Sequence, residues 1–191
     1  EYYYTHFLQG TVLDLDSDPH TVTFLNSNGA RNFAQVWQLE ASMEILRGWT
    51  ITTAFRYTDV RQTINGTLRE KPLTPRFKGI ITTSYVTPLR KWQFDATAQF
   101  NGGGRFPDPD TLNPLWQPTY NWYPQLMAQI TKYWRTCSLY LGAENMTNFT
   151  QTNPVIKPDQ PFSTDFDASM VYGPINGWKI YLGFRWALAK E

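Results

Sequence analysis

The stretch WQFDATAQFN, residues 92–101, decides the fold, because its apolar and polar residues alternate without a break. Successive side chains of a β-strand point to opposite faces. This segment therefore has one face of Trp, Phe and Ala and one face of amides, Asp and Thr. Residues 32–45 and 49–58 repeat the design. The sequence predicts an all-β fold built from two-faced strands.

Across the whole chain, the same alternation predicts eight strands that can all pair antiparallel. They lie near residues 2–15, 31–46, 49–62, 76–87, 91–102, 120–134, 136–146 and 177–188. Short turns are expected at one end of the strands and long polar segments at the other, an arrangement typical of an outer-membrane β-barrel. The last long segment alternates again at 165–172, where a short hairpin strand is expected.

Strand length and the positions of tryptophan favour lipid as the environment of the apolar faces. Several predicted strands run to about 13–16 residues, past the roughly 3–10 usual in soluble sheets and the roughly 9–11 needed to cross a bilayer. Tryptophans gather at strand ends, where membrane interfaces place them: Trp49, Trp92, Trp134, Trp178 and Trp186. A soluble sandwich or lipocalin-like barrel would explain the alternation, but neither of these features.

Composition and motifs exclude several classes of function. The 17 basic and 16 acidic residues leave no basic stripe for a phosphate backbone, so no nucleic-acid partner is expected. No apolar run reaches the roughly 18–20 residues of a membrane helix. His6 and His20 have no ligand partners at metal-binding spacing, Cys137 is the single cysteine, and no nucleophile motif appears. We therefore expect no metal, no cofactor and no enzymatic activity.

The eight predicted strands could close alone or form part of a larger barrel. A small closed barrel would crowd its lumen with polar side chains, although Arg56 lies opposite or diagonal to Glu40 and offers some pairing. The chain starts within a strand and without a signal sequence, which favours further strands before it. An open slice would expose unpaired backbone groups at both edges, so other strands would have to cover them.

One long segment, residues 105–123, is rich in aromatic side chains. It is predicted to be an outward loop that leads into a strand, and its large rings are Trp116, Tyr120, Trp122 and Tyr123. Two interpretations stay open. The rings could stack on a large sugar-like or ring-bearing substrate, or the loop could pack on itself and on the interfacial girdle.

Three local motifs, in this order, resemble those of TonB-dependent outer-membrane receptors. Residues 69–79 (REKPLTPRFKG) are similar to the paired-proline segment that enters a late barrel strand, with Pro72 and Pro75. Residues 144–149 (ENMTNF) resemble the motif that ends the penultimate strand, with Glu144, Asn145 and Asn148. Residues 172–186 resemble the last loop and closing strand, and the likeness is greatest to receptors of Bacteroidetes-type bacteria.

The resemblance implies that residues 1–191 are the C-terminal portion of a barrel of about twenty-two strands, without its plug domain and N-terminal strands. It implies TonB-dependent import of an iron chelate, cobalamin, metal or glycan across the outer membrane of a Gram-negative bacterium. The implied partners are outer-membrane lipid, TonB/ExbB/ExbD acting through the plug, the barrel-assembly machinery and a surface lipoprotein. A small closed porin-like or structural barrel remains the alternative.

The resemblance also implies a second role for the closing strand. Tyr181, Gly183, Trp186 and Leu188 fit the spacing of the C-terminal signal that the barrel-assembly machinery recognises. The same strand is predicted to be a two-faced membrane strand with Trp178, Ile180, Leu182, Phe184 and Trp186 toward lipid.

Overall fold

The computed structural model describes residues 1–17, 21, 23–107 and 116–187. Within them the chain forms thirteen β-strands and one turn of 3-10 helix at Pro88–Arg90. The strands are β1 Tyr2–Phe7, β2 Thr11–Asp14, β3 Thr23–Asn26, β4 Asn32–Leu46, β5 Trp49–Ile64, β6 Thr67–Glu70, β7 Phe77–Val86, β8 Trp92–Asn101, β9 Gly104–Arg105, β10 Thr119–Tyr120, β11 Tyr123–Tyr133, β12 Cys137–Glu144 and β13 Lys179–Trp186. Among the described residues, no helix is long and apolar enough to cross a membrane.

Eight of these strands form one antiparallel wall in the order β1-β4-β5-β7-β8-β11-β12-β13. Each pairs with the next wall strand along the chain, as the alternation predicts. Strand β6 adds to the end of β5, and the described parts of β1 and β13 do not pair with each other. The wall is therefore an open antiparallel sheet with two free edges.

The structure corrects three strand boundaries. The strand predicted over 2–15 ends at Phe7, because the chain leaves the wall and its next part pairs with β3 as a separate hairpin. The strand predicted over 120–134 is divided into β10 and β11. No hairpin strand forms over 165–172, where a single bridge joins Ile156 to Asp167. In each case hydrogen bonds between loops replace those of the wall.

The wall has its apolar side chains outside and its polar side chains inside. On the outer face Leu39 is 71% exposed and Leu182 is 70% exposed, whereas the inner-face Thr131 is 4% exposed. Inner polar groups bond to each other: Asp95 accepts hydrogen bonds from Ser84 (2.6 Å) and Gln93 (2.9 Å). A water-soluble sheet would bury its apolar face, so this distribution suits a sheet with lipid outside.

Charge on the inner face is not neutralised by the pairing expected from the sequence. Arg56 lies directly opposite Gln38, diagonal to Glu40, and opposite Lys78 on its other side. Among the described residues no ion pair joins Arg56 to Glu40. The inner wall therefore presents a local cluster of two cations between β5 and β7.

Two cross-strand tyrosine–glycine pairs lie between strands β12 and β13. Tyr140 lies opposite Gly183, and Tyr181 lies opposite Gly142. A Cβ added at Gly142 or Gly183 would lie 2.2 or 2.1 Å from the Cζ atom of the partner tyrosine, too close to be accommodated. The two rings meet edge-on at 6.2 Å. This reciprocal packing fixes the register of the two strands, since a shift by one residue would place a ring against a side chain.

Candidate functional site

All four long segments leave the same end of the wall. We name them L1 (8–31), L2 (65–76), L3 (102–122) and L4 (145–178), and together the loop layer. The opposite end carries three short turns, at 47–48, 87–91 and 134–136. Binding residues lie mostly on loops, so the loop end is the place to look for a ligand site.

Arg105 ties three of the loops together. It donates two hydrogen bonds of 2.7 Å to the carboxylate of Asp16 in L1, and one to the backbone carbonyl of Glu70 in L2. Asp16 is 4% exposed, so its charge is neutralised by this bidentate contact in a largely buried place. Loops L1, L2 and L3 therefore hold one another in a fixed arrangement.

The paired prolines lie where L2 meets L3. Pro72 is buried, and Leu73 after it has a left-handed backbone with φ 55°. The Leu73 amide donates to the carbonyl of Arg105 at 2.9 Å. Proline has no amide to offer, so both prolines sit where no ladder hydrogen bond is lost. The segment thus directs the chain toward the start of β7 and packs against L3.

Two asparagines and a glutamine shape L4. Asn145 and Asn148 have left-handed backbones, and the Asn145 amide donates to the carbonyls of Phe149 (2.7 Å) and Asn176 (3.1 Å). The buried Gln151 donates to the carbonyl of Met170 at 2.8 Å. These bonds draw the two arms of L4 together, and Asn residues tolerate the left-handed turns that this requires.

An aromatic cluster joins L3 to L4. The rings of Tyr120 and Tyr172 stack at 4.4 Å, and Phe106 packs against both at 5.5 and 5.8 Å. Trp116 donates its indole N–H to the carboxylate of Asp167 at 2.7 Å. Burial raises the pKa of Tyr120 to about 12, so this hydroxyl stays neutral at physiological pH.

A cleft of about 740 Å³ opens between L3 and L4 beside this cluster. Its walls combine rings with amide and hydroxyl groups, and its rim carries Lys157 and Asp159. Trp122 is 57% exposed and lines the cleft, so its ring is free to stack on a ligand. The cleft has the size and mixed lining of a small-molecule site.

Comparison with solved structures agrees with this architecture. The chain matches FpvA of P. aeruginosa, solved as a complex with a pyoverdine and iron, with a TM-score of 0.55 and 14% identity over 97% of this chain and 24% of that one. It matches the ferripyoverdine receptor of the outer membrane of Pseudomonas aeruginosa, bound to ferripyoverdine, with a TM-score of 0.51 and 16% identity over 78% of this chain and 20% of that one. The fold is that of an outer-membrane β-barrel. The chain spans about a quarter of the length of the first of these receptors.

No family model and no curated protein matches the chain. The barrel fold predicted from the alternation is confirmed, and the structure shows it as an open segment of wall.

The structure gives the four predicted loop aromatics different surroundings. Tyr120 and Tyr123 are buried, the latter stacked on Phe149 at 4.4 Å. Trp116 is half-buried and its N–H is bound by Asp167. Trp122 is therefore the most accessible of the four rings.

The predicted assembly-signal residues lie on both faces of β13. Trp186 is 68% exposed on the outer face, whereas Tyr181 points inward and donates to Gln129 at 3.0 Å. Gly183 lies beneath Tyr140, and Leu188 lies outside the described residues, as does His20. The inward pair thus has a packing role besides any role in recognition.

Three polar residues of the loop layer were missed by sequence reasoning: Asp16, Arg105 and Asp167. The Arg105–Asp16 contact joins positions 89 apart in the chain, and no local pattern marks such a pair. Among the described residues, no group of three His, Cys, Asp or Glu side chains could hold a metal ion.

Proposed function

We propose that this chain is the C-terminal part of the barrel wall of a TonB-dependent receptor, which imports a large or scarce nutrient across the outer membrane of a Gram-negative bacterium. The observation that carries the proposal is the inverted wall, apolar outside and polar inside, with every long loop at one end. The motifs at 69–79, 144–149 and 172–186 and the likeness to outer-membrane receptors support it.

The free edges of the wall favour a large barrel over a small closed one. A small closed barrel needs β1 to pair with β13, and their described residues do not pair. In lipid, each unpaired backbone group costs several kcal/mol, so other strands must cover both edges. A barrel of about twenty-two strands holding a plug domain is the arrangement that the resemblance implies.

The proposed role is non-enzymatic. Substrate binds at the outer surface, and TonB/ExbB/ExbD supplies energy by acting on the plug. The barrel-assembly machinery inserts the wall, and a surface lipoprotein that delivers substrate is a further proposed partner. Among iron chelates, cobalamin, metals and glycans, the aromatic and amide lining of the cleft supports ligands that carry rings.

Nutrient-limited growth tests the proposal. A deletion strain would receive the full-length gene in cells with and without TonB, and each candidate nutrient would be supplied in turn as the limiting one. We expect the gene to restore growth on one nutrient class, and only in cells that have TonB. Equal growth without TonB would show that the barrel lets the nutrient pass passively and is not an active importer.

The cleft can be tested in the same assay with two matched tryptophans. Trp122 lines the cleft at 57% exposure, whereas Trp178 precedes β13 at 60% exposure and lies outside the cleft lining. Trp122→Ala should reduce uptake at low substrate by about tenfold, as expected for the loss of one stacking contact. Trp178→Ala should leave uptake unchanged, and equal loss in both variants would remove the cleft from the proposal.

A further inference from the structure

The outer face of the wall carries very few charges. Asp59 and Arg61 lie near its loop end and pair with each other at 3.0 Å. Lys132 lies at the opposite end, next to the short turns, and forms no ion pair among the described residues. A charge on a lipid-facing surface is costly, so the Lys132 ammonium must reach the headgroup region, where anionic groups are available to it.

Two tryptophans hold the Lys132 ammonium at the surface. Its Nζ lies 4.3 Å from the ring centroid of Trp92, its cross-strand partner, and 5.9 Å from that of Trp134. Both rings are exposed, at 40% and 52%. Trp rings occupy the boundary between lipid tails and headgroups, and they attract the cation without removing its charge. The ammonium is therefore held at headgroup depth.

The adjoining turns add charge of the same sign. The three short turns carry four basic residues and no acidic ones: Arg47, Arg90, Lys91 and Arg135. All four are exposed and unpaired among the described residues. The carboxylates of Glu44 and Asp95, which belong to inner-face positions, accept hydrogen bonds from Gly48, Ser84 and Gln93. Arg47 and Arg90 line a cavity on the inner face together with Glu44, whereas Lys91 and Arg135 directly adjoin Trp92 and Trp134 in the chain.

We propose that Lys132, Trp92 and Trp134 form a binding site for the phosphate of an anionic phospholipid headgroup, with the basic turns as its surroundings. Short turns of outer-membrane barrels face the periplasm, so the ligand is a lipid of the periplasmic leaflet. The phosphate forms an ion pair with the Lys132 ammonium, while the acyl chains lie along the apolar outer face. The site is independent of the loop layer and of import.

Native mass spectrometry of the full-length protein in detergent tests the site. The protein would be titrated with phosphatidylglycerol and, separately, with a diacylglycerol of the same chains. We expect selective retention of phosphatidylglycerol. Lys132→Gln should lower it about fivefold, as expected for the loss of one cation near a lipid surface. Lys132→Arg should restore it, because Arg keeps both the charge and the stacking.

A lysine at the other end of the wall provides the matched control. Lys71 is exposed in L2, and Lys71→Gln should retain the lipid as wild type does. Heat-modifiable migration on gels would show that each variant is a folded barrel. Equal retention of the two lipids or unchanged retention in Lys132→Gln would each overturn the proposal.

Discussion

The two ends of the wall are built by different means. At the loop end, side chains far apart in the sequence bond to each other: Arg105 to Asp16 across 89 positions and Trp116 to Asp167 across 51. At the short-turn end, a turn bonds within itself or to the strand beside it: the Gly48 amide donates to Glu44, and the Gly48 carbonyl accepts from the Val86 amide. Loops outside the barrel ladder must obtain their order from tertiary contacts, whereas a short turn obtains it from the strands it joins.

This difference indicates which end of the wall can form a ligand cleft. A ligand cleft needs side chains from several loops to keep fixed positions, and the loop layer supplies that through buried polar contacts. The short-turn end keeps one shape, set by strand register, and its cavity of about 1040 Å³ is lined by two short turns and the inner faces of the strands they join. The proposed recognition of a nutrient thus belongs to one end and the proposed contact with the lipid headgroup to the other.

The largest effect should follow from removing the contact that joins the loops. Arg105→Gln removes the bidentate contact to the buried Asp16 carboxylate, at a cost of about 3–5 kcal/mol to the loop layer. Hydrogen exchange of the full-length protein should then show loss of protection across β2 and β3. Arg47→Gln, which changes an exposed arginine of a short turn, should alter stability by no more than about 0.5 kcal/mol. Full protection in Arg105→Gln would mean that L1 is held by other contacts.

A second comparison uses two glycines, one at each end. Gly48 and Gly29 share a left-handed backbone, with φ 82° and 81°. A Cβ at Gly48 would lie 2.5 Å from the carbonyl oxygen of Val86, whereas at Gly29 no atom lies within 4 Å. Gly48→Ala should therefore destabilise the barrel by about 1–3 kcal/mol more than Gly29→Ala. Urea unfolding followed by heat-modifiable migration measures the difference, and equal midpoints would show that the turn can relax.

The sequence predicts one end far better than the other. The eight wall strands follow from side-chain alternation, because inner and outer positions face different environments in every strand. The hairpin of β2 and β3 could not be predicted, because it is held by contacts such as Gln62 to Leu13, 49 positions apart. Aromatic content alone also could not separate the exposed Trp122 from the buried Tyr120, since both ligand stacking and loop packing favour large rings.

The smallest effect should come from a surface ion pair within the loop layer. Arg76 donates two hydrogen bonds of 2.7 Å to Glu70 and lowers the pKa of that carboxyl below its usual value of 4.5. A lowered folded-state pKa adds stability above the unfolded pKa, and that stability is lost as the pH falls through the folded value. Because the Arg76 side chain is 61% exposed, the contribution is at most about 1 kcal/mol.

Thermal unfolding of wild type and Arg76→Gln at a series of pH values tests this pair. Wild type should be the more stable near neutral pH, and the two curves should converge as the pH falls through the lowered pKa of Glu70 in wild type. The same series on Arg105→Gln should show a larger gap at neutral pH, because Asp16 is 4% exposed and has less water to replace the Arg105 contact. Equal gaps would show that burial does not make the Arg105–Asp16 contact contribute more stability than the Arg76–Glu70 contact.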